Sequence, residues 1–86
     1  MYSTTLKHIN SLIRYIKHNE PTVLDWYVRY HIGTDGIEHV LDGLVIHCDD
    51  ITYVRITNHA GRYYPDLRID KMDYTSYIRH IMKGVH

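Results

Sequence analysis

The chain has 86 residues, with 10 basic side chains against 10 acidic ones, 8 histidines and 1 cysteine. That length suits one small domain with a thin core, and the balanced charge leaves no basic field to collect nucleic acid and no acidic excess to imitate it. The lone Cys48 excludes an internal disulfide and fits a reducing compartment, while no apolar run nears the ~18 residues of a membrane span and no apolar signal segment opens the chain, so a cytoplasmic protein is expected. Nine tyrosines and no phenylalanine suit half-buried sheets and wet interfaces, because tyrosine is apolar at one end and polar at the other. The histidines are scattered, and they add charge only near pH ~6.5 and below.

Residues 3–18 predict a helix. Leu6, Ile9, Ile13 and Ile16 repeat at helical spacing, Leu12 widens the stripe, and Ser3 or Thr4 supplies a cap. Asn19, Glu20 and Pro21 end it, since the residue before a proline avoids helical backbone. Lys7, Arg14 and Lys17 form its solvated face.

From Thr22 the period changes to two. Leu24, Trp26, Val28, Tyr30 and Ile32 alternate with Asp25, Tyr27, Arg29 and His31, which predicts a half-buried strand. "GTDG" at 33–36 reads as a turn, followed by strands over 37–48 and 51–57. "NHAG" at 58–61 reads as another turn, and a fourth strand runs from Arg62 to Ile69. Asp49 and Asp50 then form a two-residue hairpin loop. In this register Gly43 and Val45 share one apolar face with Leu24, Trp26, Val28, Val54 and Ile56, joined by Tyr63, Leu67 and Ile69. Gly43 falls opposite Trp26, where a strand glycine marks a bend. Residues 73–83 read as a helix through Tyr74, Tyr77, Ile78, Ile81 and Met82, with Asp73 as cap and Gly84 as stop. A short fifth strand over 76–82 is the alternative. The expected fold is α+β in a single domain, residues 1–86. An N-terminal amphipathic helix precedes a four- to five-stranded antiparallel meander over 23–69, bent into a small barrel, and a short C-terminal helix follows.

This order resembles the Sm-like and SH3-like small β-barrels of bacterial regulators, such as the YolD-like and WYL-type domains. The resemblance covers roughly residues 24–78. It rests on the Tyr27-Val28-Arg29-Tyr30 strand, Gly43, Asp49-Asp50, the stretch Asn58 to Gly61, and Leu67-Arg68-Ile69-Asp70-Lys71-Met72. It implies a role in regulation or nucleic-acid handling, through RNA, DNA or a partner protein. The chain departs from that pattern in lacking a concentrated basic patch.

In the same register the other sheet face carries Tyr27, Arg29, Leu44, Ile46, Tyr53, Arg55, Tyr64 and Arg68. Tyrosines interleaved with arginines make a platform for stacked bases or a protein hot spot. Tyr27, Arg29, Tyr53, Arg55, Tyr64 and Arg68 are therefore the candidate binding residues. The competing use of that face is as cover for the N-terminal helix, at Leu44, Ile46 and Ile51.

No metal site is expected. His47 and Asp49 share a strand face, Cys48 points away, and His39 is several residues along, which matches no closed zinc pattern. His47 is likewise on the wrong face to activate Cys48 as a nucleophile. Turns and caps account for Asp49/Asp50 and Asp70/Asp73, and no phosphate loop or nucleophile elbow is present. No catalytic residue, enzyme activity, cofactor or membrane association is expected. The leading expectation is a small non-enzymatic intracellular regulator or inhibitor that binds a partner protein through the Tyr/Arg face. The alternative is an Sm-like module for single-stranded RNA or DNA. The third is a homo-oligomer built by pairing of strand edges.

Overall fold

A computed structural model describes residues 4–83; the cap at Ser3 and the stop at Gly84 lie outside the described residues. The elements run α1 (Thr4–Asn19), β1 (Asp25–Ile32), β2 (His39–His47), α2 (Asp50–Tyr63), β3 (Arg68–Lys71) and α3 (Tyr74–Lys83). The sheet has three strands in the order β1-β2-β3. β1 is antiparallel to β2, and β2 is parallel to β3.

The fold is α+β, but the expected four- to five-stranded antiparallel barrel is replaced by an open mixed sheet. The difference starts at the aspartates. Asp49 is the N-cap of α2, not half of a hairpin loop: its backbone is extended at φ −74° and ψ 169°, and its side chain accepts from the Thr52 N–H. That bond, at 2.7 Å, satisfies one of the donors every helix start leaves open. Asp50 follows in the first turn, where a negative charge suits the helix dipole. Thr52, Ile56 and Ala60 then bury one side of α2 at the four-residue spacing of a helix. The strand expected over 51–57 and the turn over 58–61 are both helix. The strand expected over 62–69 is replaced by a shorter and later one, Arg68–Lys71. A helical crossover returns the chain in the direction it left, so β3 lies parallel to β2. Three strands do not close a barrel.

The hairpin register also differs. The connection from β1 to β2 is longer than "GTDG": Asp35 Oδ1 accepts from the N–H groups of Ile37 and Glu38, each at 2.9 Å. Gly36 takes the positive φ of 74° that the turn requires and that a side chain disfavours. Gly33 N–H donates to the Glu38 carbonyl at 2.7 Å to close the loop. Trp26 consequently opposes Ile46 and Val28 opposes Leu44, where Gly43 and Leu41 were expected. A shift by an odd number of residues exchanges the faces of a strand. Leu44 and Ile46, not Gly43 and Val45, therefore share a face with Trp26 and Val28.

That face is the floor of the core. Leu44 and Ile46 of β2 lie fully buried beneath Ile9, Leu12 and Ile16 of α1 and beside Ile56 and Ala60 of α2, with Val23 closing one end. Trp26, Val28, Leu41, Tyr53 and Ile69 pack around the rim. Burying each large aliphatic side chain contributes roughly 1.5–3 kcal/mol before chain entropy is counted. Glu20, just after α1, is buried, and Arg55 of α2 grips it with Nε at 2.9 Å from Oε2 and Nη2 at 2.9 Å from Oε1. This fork pins the α1–β1 connection to α2.

Candidate binding surface

With α1 and α2 on one face of the sheet, the opposite face carries mostly polar side chains around a buried Val45. Strand alternation puts Tyr27 and Arg29 of β1, Val45 and His47 of β2, and Arg68 and Asp70 of β3 there, as their cross-strand pairing shows. A β-bulge adds one more group. The register shifts between Arg29 and Tyr30: Arg29 opposes Gly43, Tyr30 opposes Leu41, and Asp42 is the extra residue. A bulge re-aims a side chain, and here it turns Asp42 onto the same face as Arg29.

Arg29 is the centre of the cluster. Its Nε donates to Asp70 Oδ2 at 2.7 Å, and its Nη1 donates to Asp42 Oδ2. The same Asp42 oxygen meets His31 Nδ1 at 3.0 Å. Arg68 Nε stands 3.8 Å from the other oxygen of Asp70. The bonds to Asp42 first, and to Asp70 second, raise the Arg29 pKa further. Burial pushes the Asp42 carboxyl up, but the bonds from Arg29 and His31 outweigh it, and the net shift is down. Asp42 Oδ1 is buried with no hydrogen-bond partner among the described residues. At the far end of this face the Tyr77 ring of α3 stacks on His47, with centroids 3.9 Å apart and planes 8° from parallel.

Gly43 makes the arrangement possible. It opposes Arg29 on one side and Arg68 on the other, and a Cβ there would run into the Arg68 backbone. The glycine expected to mark a bend under Trp26 instead lets β3 lie close against β2.

The six candidate residues do not form one platform. Tyr27, Arg29 and Arg68 do share the face opposite α1 and α2. Tyr53 belongs to α2, and its hydroxyl donates to the Ile69 carbonyl at 2.8 Å, which ties that helix to β3. Arg55, also on α2, is spent on Glu20. Tyr64 caps the C-terminus of α2, with its ring centroid 5.0 Å from that of His8. Sequence reasoning missed His31, Asp42, Asp70, His47 and Tyr77 as members of the surface. One signal for Asp42 was present: an aspartate next to a glycine inside an apolar strand is what a bulge looks like in sequence.

Among the described residues, several of the cations are already matched to acids. Arg29 holds Asp42 and Asp70, Arg55 holds Glu20, and Lys71 holds Asp50. Lys17 sits over the Trp26 ring, 5.6 Å from its centroid. Burial, and then the Asp49 charge, push the Cys48 thiol up, away from the thiolate that nucleophilic chemistry needs. No group of three or more His, Cys, Asp or Glu side chains among the described residues is placed to hold a metal ion. No helix among them is long and apolar enough to cross a membrane. Comparison with protein-family models, with curated proteins and with solved structures finds no match.

Proposed function

We propose that this chain is a non-enzymatic protein-binding module, an intracellular regulator or inhibitor, and that it docks its partner on the sheet face opposite α1 and α2, around Tyr27, Arg29 and Arg68. The observation that carries this reading is the self-neutralised network on that face: Arg29 is locked between Asp42 and Asp70, and Arg68 lies beside Asp70. A phosphate arriving there would have to displace carboxylates already in place. A protein surface with its own mixed charges and aromatic groups would not, and tyrosine and arginine are the residues on which protein interfaces concentrate their binding energy. The rigid sheet beneath them lowers the entropy lost on docking.

The test has two arms. Labelled single-stranded RNA and DNA, titrated at low and moderate salt, should show no micromolar binding; tight binding with a steep salt slope would overturn the reading. Capture of a partner from cell extract should be lost in Tyr27→Ala and in Arg68→Glu, with circular dichroism unchanged. Capture indifferent to both substitutions would also overturn it.

A further inference from the structure

The outer edge of β1 pairs with no other strand among the described residues. An open strand edge is a row of unpaired donors and acceptors, a template for a further strand. The residues flanking this edge are unusually apolar for a surface: Leu24 is 85 % exposed, Ile32 57 % and Tyr30 55 %. We propose that a second copy of this chain pairs with β1, antiparallel about a two-fold axis at Val28, to form a continuous sheet in the order β3-β2-β1-β1-β2-β3.

The backbone sets the register. Gly33 N–H donates inward, to Glu38 of the hairpin. Successive residues of a strand direct their polar groups to opposite edges, and the bulge places its extra residue in β2, not β1. Ile32, Tyr30, Val28 and Trp26 therefore direct their N–H and C=O groups outward. A two-fold axis at Val28 pairs these even-numbered positions with one another.

The side chains agree with that axis. The segment from Leu24 to Ile32 is self-complementary when read against its own reverse. Val28 meets Val28, Trp26 meets Tyr30 and Leu24 meets Ile32, all on the core face. Tyr27 meets Arg29 and Asp25 meets His31 on the polar face. Aromatic and apolar pairs are among the stabilising kinds across antiparallel strands, and two-fold symmetry makes each mixed pair twice. The exposed Leu24 of one copy covers the exposed Ile32 of the other. An axis at Arg29 would set that guanidinium against its own copy, and an axis at Tyr30 would set Arg29 against His31. The pairing is made by the backbone edge of β1 and sets Tyr27 beside Arg29 at the border of the polar face; its test reads mass and not partner capture, so it fails separately from the partner-binding reading.

Sedimentation equilibrium decides the matter. The expected mass at ~100 µM is twice the 10.3 kDa of the chain, with dissociation on dilution as mass action requires. A mass of 10.3 kDa at that concentration overturns the proposal. Leu24→Glu and Ile32→Lys should each weaken the dimer ~10-fold or more, with melting curves unchanged at dilutions where the wild-type chain is monomeric, because both side chains are exposed in the lone chain. The double variant sets glutamate opposite lysine at both ends and should recover the dimer; a double variant no tighter than the single ones overturns this register. Tyr30→Pro, which removes an outward N–H without touching the β1–β2 ladder, should leave a folded monomer. A dimer indifferent to all these changes is held by another surface and refutes the pairing.

Discussion

At the scale of the residue, Gly43 and Cys48 show how little a residue type says without its surroundings. Gly43 is the point where the β3 backbone passes against β2. Gly43→Ala should destabilise the fold by about 1–3 kcal/mol, the usual cost of forcing a methyl group into filled space, and chemical denaturation would measure it. Cys48 invites a reading as nucleophile or ligand, yet the desolvating core and the Asp49 charge hold its thiol above the ordinary range. Its alkylation by iodoacetamide at pH 8 should be several-fold slower than that of free cysteine. The rate should rise through a higher pH than usual, because only the thiolate reacts. An alkylation rate equal to that of a free thiol would show that the site is not shielded. Asp42 is the residue hardest to find in advance. Its role depends on a bulge, and a bulge is a relation between two strands, not a property of one.

At the scale of the element, α2 is where sequence and structure part. "ITYVRIT" alternates apolar and polar residues and is rich in β-branched and aromatic types, which reads as strand. The same run also places Thr52 and Ile56 on one helical stripe, which Ala60 continues just beyond it. Both periods are present in so short a run, and what separates them is the Asp49 cap and the packing of that stripe on Leu44 and Ile46. Asp49→Ala should therefore lower both the helical circular dichroism and the melting temperature, since the Thr52 N–H loses its acceptor. Asp49→Ser, which keeps an acceptor, should restore most of the loss. A melting temperature unmoved by Asp49→Ala would mean that packing alone holds the start of α2.

At the scale of the whole molecule, stability depends on pH through groups that fold into shielded places. His59 of α2 stacks on Tyr15 of α1, with ring centroids 3.5 Å apart. Burial, and then the Arg62 charge, hold its pKa below the ordinary value. The unfolded chain takes up that proton near pH ~6.5, whereas the folded chain does so only at lower pH. The stabilisation is therefore complete above pH ~6.5 and is lost as the pH falls through the folded value. The melting temperature should drop between pH 7.5 and pH 5, and drop less in His59→Phe, which keeps a ring against Tyr15. Parallel pH curves for the two proteins would assign the loss to other groups. On further acidification, Asp42 and Asp49, both held below the ordinary carboxylate range, lose their contribution as they protonate.

The helical period from Leu6 to Ile16 determined α1, because one apolar stripe needs no knowledge of what covers it. The alternation from Leu24 to Ile32 determined β1 in the same way, and with it the self-complementary edge. Tertiary structure alone decided the rest. Whether Asp49-Asp50 turns the chain back as a hairpin or starts a helix rests on which partner Ile56 finds. Whether Gly43 or Leu44 faces the core rests on the true length of the loop after Ile32. Each is a choice between local patterns that the sequence carries at once, and burial against residues distant in the chain settles it. The surface around Arg29 follows from those choices, since a register shifted by an odd number of residues would have turned its partners to the other side of the sheet.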